Sequence, residues 1–265
     1  MLSELVSALN RSYLVVRQQY RHAQALFAHQ MCRTDALPRP RFILFGRGRS
    51  GTTALISMLN HLPDVCCEGE ILHDYVLFPY RHVIGRSIGV GDSGYGCKIL
   101  SYQIRDVQTR LSSPENFIRD LHEEGGFQIL YLRRLNLLRH ALSNLRARQE
   151  QFHRQKGAAS TDARALRVDP GHVLEWIRNS EALRDYEKKL LEGVPHLSLT
   201  YEENILDPEG HQETVDQICA FLGVKSVPVE SGYEKIAPPS LRDGVLNYEE
   251  LARRLRGTPY DKYLD

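Results

Sequence analysis

No stretch of this chain approaches the roughly 20 consecutive apolar residues that a membrane helix needs. Its opening, "MLSELVSALNRSYLVV", has neither a basic leading segment nor an unbroken apolar core. The sequence therefore predicts no membrane span, signal peptide or anchor, and a cytoplasmic location. Cysteine is sparse and unpatterned. The five residues, Cys32, Cys66, Cys67, Cys97 and Cys219, form no C-x-x-C, which argues against a zinc ribbon or a disulfide scaffold and for a reducing compartment. The histidines show no ligand spacing, so no metal is expected. Charge of one sign is also lacking: the formal net charge is +1. No global field selects nucleic acid or an anionic surface, and any basic site must be local.

What is present is an alternation of apolar runs and amphipathic stretches. Residues 2 to 33 read as a helical arm, with Leu2, Leu5, Val6, Leu9, Tyr13, Val16, Tyr20 and Ala23 at helical spacing, ended by "ALPRP". Such a helix packs on its own domain or forms an oligomer contact, and packing is the commoner case. Strands are expected at 42–45, within "DVCCEGEIL" (64–72), at 95–104, 127–132 and 196–201. Helices are expected at about 52–61, from Ser113 as N-cap, and at 136–150, 171–192 and 208–222. The last ends at Gly223. Residues 79–96 and 154–171 read as irregular, and Asn247 and Glu250 as an approximate capping box. This order predicts an α/β fold with a central, mostly parallel sheet flanked by helices, as an arm (1–40) and one domain (41–265).

The most informative absence is a single lysine. "GRGRSGTT" (46–53) follows a short apolar strand and opens a helix. Gly46, Gly51 and Thr53 keep the spacing of the phosphate loop G-x-x-x-x-G-K-[ST], but Thr52 stands where its lysine should be. The unpaired N–H groups of a helix start still make an anion seat. Gly48 and Gly51 allow close backbone approach, Ser50, Thr52 and Thr53 add hydroxyls, and Arg47 and Arg49 add charge. Arg49, three positions before Thr52, is expected to replace the lysine. Triphosphate chemistry loses support; a single 5′-phosphate carrying a leaving group fits better.

A second strand-to-helix junction, "ILYLRRLNLLRHALSNLRARQ" (129–149), is strongly basic. From Tyr131 to Lys156 there are six arginines and one lysine against one acid, Glu150. An arginine at the strand end with Ser143 on the helix makes a monophosphate clamp. Charged hydrogen bonds contribute about 1.5–3 kcal/mol each, whereas micromolar affinity needs about 8 kcal/mol. One clamp falls short of that and two on one ligand suffice, which points to a nucleotide with two separate phosphates.

Together these stretches resemble the sulfotransferases that use 3′-phosphoadenosine 5′-phosphosulfate (PAPS). "GRGRSGTTAL" looks like their 5′-phosphosulfate loop and "YLRRLNLLRHALS" like their 3′-phosphate motif, in the form of the bacterial carbohydrate, nodulation-factor type. "LSLTYEENILDPEG" with "ICAFLGV", and "EKIAPPSLRDGVLNYEELARRLRGTPYDKYL", resemble later segments of the same group. The resemblance covers about residues 41 to 265. It implies a P-loop-like sulfotransferase fold and transfer from PAPS, leaving adenosine 3′,5′-bisphosphate, to a hydroxyl of a carbohydrate or glycolipid-type acceptor. By position, Arg49, Ser50, Gly51, Thr52 and Thr53 would hold the 5′-phosphosulfate. Arg133 and Ser143 would hold the 3′-phosphate, with Arg134 as rival, and Tyr201 would meet the adenine. Lys235 and Arg256 are weaker candidates for the nucleotide's far side.

There are departures. Ala54 stands where cytosolic members have tryptophan. Lys98 is kept from their Lys-x-His, but Leu100 replaces the histidine. The base must therefore lie elsewhere, and Glu70 is the first choice, then Glu68 and His73. Lys98 would aid the leaving phosphate oxygen or merely cap a strand. The partners implied are a small-molecule or glycan acceptor, no nucleic acid, and a homo-oligomer contact through the arm. Two alternatives use the same loop: a degenerate nucleotide kinase or triphosphatase, and a nucleotide-binding module without catalysis.

Overall fold

The computed structural model describes residues 16, 19–30, 40–88, 90, 93–155 (backbone only from 150), 165–229 and 240–264. Five strands, β1 (Arg41–Gly46), β2 (Val65–Glu70), β3 (Gly94–Leu100), β4 (Gln128–Arg133) and β5 (His196–Thr200), form one sheet in the order β2-β3-β1-β4-β5. Every neighbouring pair is parallel. The α/β expectation thus holds, with all five strands parallel.

The pleat of β1 explains its unbroken apolar run. Ile43 and Phe45 enter a core with Tyr95, Cys97, Ile99 and Ile129. Phe42 and Leu44 enter the opposite core with Leu55, Met58, Leu130 and Leu132. Alternate residues thus serve opposite faces, both covered by helices. A third cluster joins α5 (Leu137–Gln155), α6 (Pro170–Leu190), α9 (Leu241–Gly244) and α10 (Tyr248–Leu255) through residues such as Leu138, Ile177, Leu251 and Leu255. It lies beside the sheet and braces the helices behind β4.

Three local readings change. Residues 79–96 are not irregular throughout: α3 runs Pro79–Ile88 and buries His82, Val83, Ile84, Gly85 and Ser87. Gly85, within that stretch, is a packing residue. A Cβ there would lie 1.8 Å from the carbonyl oxygen of Ala25, on the helix α1 formed by residues 19–30. His22 of α1 also meets His82, Nδ1 to Nδ1, at 3.2 Å. Ser113 does not cap a helix. Asn116 and Phe117 donate to Ser113 and Pro114 in tight turns, and α4 begins only at Phe117. The 247–250 capping box gives way to a tertiary contact. Asn247 is the N-cap residue, but its side chain does not cap the helix start: Oδ1 accepts from the Val168 N–H at 3.0 Å, and Nδ2 donates to the Val168 carbonyl at 2.8 Å and to Glu250 Oε2 at 2.9 Å, which pins the residues before α6.

Register lines up the strand ends. Gly46 lies opposite Leu100 and Leu132, Glu70 opposite Lys98, and Arg133 opposite Thr200. Chain order reverses around the central β1. In open parallel sheets, ligands sit beyond the carboxyl ends of the strands at such a switch point.

Candidate active site

β1 leads through residues 47–51 into α2 (Thr52–Leu59), a P-loop-like strand–loop–helix. Gly51 is the N-cap in the left-handed region, φ 87°, and no side chain caps the helix start. A Cβ on Gly51 would also press on Ile205 Cγ2 at 2.8 Å and Tyr201 Cδ2 at 2.9 Å, so glycine is required twice over. The first N–H groups of α2 are left open to a ligand. Beside them Ser50 is fully buried, its hydroxyl without a hydrogen-bond partner among the described residues.

The loop is held from behind. The Gly48 carbonyl accepts from His140 Nε2 at 2.7 Å, and the Arg49 carbonyl accepts from Arg134 Nη1 at 3.3 Å. Arg49 has φ 64°, uncommon for a residue with a side chain. That conformation leaves its side chain exposed. His140 packs edge-on to Trp176. Burial, then the charge of Arg47, pushes its pKa down to about 3.

This histidine gives a signed pH dependence. It stays neutral in the fold while an unfolded chain would protonate it below pH 6.5. Stability is therefore lost as pH falls from 6.5 toward 3. One proton between pH 6.5 and 5 corresponds to roughly 2 kcal/mol. Urea unfolding at pH 7 and pH 5 should show the loss, and His140→Gln should reduce it; an equal loss in the variant would contradict the assignment.

Arg47, expected among the ligand groups, is corrected. It is buried and turned inward: Nε lies 3.3 Å from Glu187 Oε1, and Nη1 donates to the Ser180 carbonyl at 3.1 Å. Glu187, fully buried in α6, also accepts from Ser101 Oγ at 2.7 Å and Tyr131 Oη at 2.8 Å. One carboxylate therefore gathers the ends of β1, β3 and β4.

The paired arginines separate in the same way. Arg134 is buried, stacks 4.2 Å over the Tyr201 ring and supports the loop carbonyl. Burial lowers its pKa. It is thus a loop support, not a rival clamp, and it occupies a face of the Tyr201 ring. Arg133 is half-buried, with Nε shielded from solvent and without a hydrogen-bond partner among the described residues. Ser143 follows, half-buried, in the second turn of α5. Unlike at α2, side chains accept from N–H groups around the start of α5. Glu202 accepts from the N–H groups of Leu135 at 2.9 Å and Asn136 at 3.0 Å, and Asn136 Oδ1 caps Arg139 at 2.9 Å.

Charge at the mouth of the first loop comes from β3. Lys98 Nζ lies 3.0 Å from Glu70 Oε1 and 3.5 Å from Thr53 Oγ1. The absent loop lysine is thus answered in space by Lys98 as well as by the nearby Arg49. Thr52 is buried and Thr53 exposed.

A register shift decides between the two glutamates. Glu68 lies opposite Cys97 and Glu70 opposite Lys98, two residues against one. Such a bulge re-aims a side chain: Glu68 and Glu70 would share a face in a regular strand, yet they follow neighbours on opposite faces. Glu68 receives both arms of Arg86 and the Tyr95 hydroxyl, the last at 2.8 Å. It is a structural ion pair, which corrects its candidacy as base. Glu70 Oε2 accepts from Gln103 Nε2 at 2.9 Å and Tyr102 Oη at 3.3 Å. The exposed His73 stands 3.6 Å away. Gln103, in a π-helical turn over Gln103–Val107, also takes the Leu100 N–H at 2.9 Å, so Glu70 is oriented from the end of β3.

Lys235 lies outside the described residues. Arg256 is exposed just after α10. Among the described residues no group of His, Cys, Asp or Glu is placed to hold a metal ion, and no helix is long and apolar enough to cross a membrane. Glu187, Glu202 and His140 were not singled out from sequence. The acids are ordinary helix residues until the fold brings them to the strand ends, and only the position of His140, one turn into a helix behind a basic strand end, hinted at its role.

No protein-family model matches the chain, and no curated protein matches it. Among solved structures, a sulfotransferase from Alicyclobacillus acidocaldarius is similar over 83% of this chain and 94% of its own, at 17% identity and a TM-score of 0.48. A likeness that distant assigns neither a family nor a chemistry, and the functional reading rests on the site.

Proposed function

We propose that the protein is a sulfotransferase that takes the sulfuryl group from PAPS and passes it to a hydroxyl of a carbohydrate or glycolipid-type acceptor. The observation that carries this reading is the row Thr53–Lys98–Glu70 beside the uncapped start of α2. A carboxylate, an ammonium and an anion seat then stand side by side at the strand ends, with Arg133 one strand away on the other side of β1.

The residues fit such a donor at two places. Open N–H groups of α2, the Ser50 hydroxyl and the exposed Arg49 suit a 5′-phosphosulfate. Arg133 and Ser143 suit a 3′-phosphate. The donor supplies an activated sulfuryl group on a phosphate leaving group. Glu70 accepts the proton as the acceptor oxygen bonds to sulfur. Lys98 and the α2 N-terminus hold positive charge where the broken S–O bond leaves its electron pair on phosphate. Preorganised charge of this kind, with positioning, carries most of the work in related group transfers.

Arg133→Ala tests the second clamp. Adenosine 3′,5′-bisphosphate should bind the variant more weakly by about 1.5–3 kcal/mol, read by calorimetry, while AMP affinity stays put. Equal losses for both nucleotides would remove Arg133 from the 3′ site.

A further inference from the structure

The helical arm has a second apolar face that the described residues of its own domain leave uncovered. α1 turns His22 and Ala25 toward α3. On the opposite side Val16, Tyr20 and Phe27 are 66%, 63% and 67% exposed, with Ala23 exposed between them. Their spacing is four, three, four. In the sequence the same alternation continues backward without a break through Tyr13, Leu9 and Val6 to Leu2.

A strict seven-residue apolar period has a specific meaning. A straight helix drifts about 20° per heptad against it, so it does not keep such a stripe aimed at a flat surface. It keeps the stripe aimed at a second helix that coils around it. Charge narrows the partner. Of the eight positions flanking the seam, only Arg17 is charged. Two copies of this stripe therefore meet without facing rows of like charge, and the seam lacks the basic border that an anionic membrane surface would select.

We propose that the Tyr20–Ala23–Phe27 face of α1, with the exposed Val16 ahead of it in the same spacing, pairs with the same face of a second copy of this chain, so that the protein dimerises through its arm. The pairing is independent of the nucleotide reading, and its test does not involve the nucleotide site. Light scattering after gel filtration of the full chain should give twice the mass of one chain. Tyr20→Lys and Phe27→Lys, both at exposed positions, should each give the mass of one chain with unchanged circular dichroism, whereas Arg21→Gln should remain dimeric. Ala23→Glu, a smaller change, decides the matter if either lysine variant fails to fold. A parent that stays monomeric at every concentration overturns the proposal, as does a folded Phe27→Lys dimer. Sedimentation of a monomeric parent with phosphatidylserine vesicles would make the stripe a membrane face instead, and would equally overturn it.

Discussion

Glu70→Gln is expected to lower turnover by about 10²–10⁴-fold, the usual contribution of a positioned general base, while nucleotide affinity stays at the parental level. The amide is nearly isosteric, so Gln103, Tyr102 and Lys98 keep a polar neighbour. What is lost is the group proposed to take the acceptor's proton. Turnover is read as release of adenosine 3′,5′-bisphosphate from PAPS with a panel of sugar-hydroxyl acceptors. Glu68→Gln is the matched control. It weakens the ion pair with Arg86 and should cost stability, with little change in turnover per folded molecule. Full activity in Glu70→Gln, or an equal loss in both variants, would contradict the assignment of the base.

The second large effect is on the fold itself. Glu187→Ala should lower stability by about 3–5 kcal/mol, the range for removing one partner of a buried ion pair. Arg47 would be left buried with its charge uncompensated, and the hydroxyls of Ser101 and Tyr131 would lose their acceptor, each a further desolvation cost. For a chain of this size that corresponds to a fall in melting temperature of roughly 6–20 °C, checked by urea unfolding and calorimetry. Nucleotide binding should weaken as well, because Arg47 begins the loop proposed to receive the anion. Glu187→Gln should be milder, since it keeps an acceptor for the hydroxyls and removes only the charge. A change below about 1 kcal/mol, the size of an exposed ion pair, would show that Glu187 is not the brace described.

The sheet was legible because its strands are short, buried on both faces and framed by glycine or polar residues. Phe42–Phe45 and Phe127–Leu132 read as strands from composition alone. The site was legible as far as single junctions go. Gly51 with Thr52 and Thr53 were singled out together and stand at the start of α2, and Arg133 stands at the end of β4 with Ser143 in the second turn of α5. Three features needed tertiary structure. Arg47 and Arg49 are equivalent in a string of letters, and only Glu187, arriving from α6, draws Arg47 inward. Arg133 and Arg134 divide because Tyr201 and the Arg49 carbonyl claim the second. Glu68 and Glu70 divide because a bulge puts them beside different neighbours. Gly85 shows the reverse error: a glycine that lets two helices touch looks, locally, like one that breaks a helix.

These distinctions make one forecast about ligand choice. In the proposed reading the α2 start would accept one phosphate through its backbone N–H groups, whereas the Glu202 carboxylate lies beside the α5 start and the Arg133 side chain would hold the second. A nucleotide should therefore gain affinity from a phosphate at the 3′ position, not from a longer 5′ chain. The measurement that tests this most directly is calorimetric titration of the parent protein with adenosine 3′,5′-bisphosphate, AMP and ATP. The account predicts that the bisphosphate binds more tightly than either of the others. ATP binding as tightly as the bisphosphate, or AMP and the bisphosphate binding alike, would contradict it.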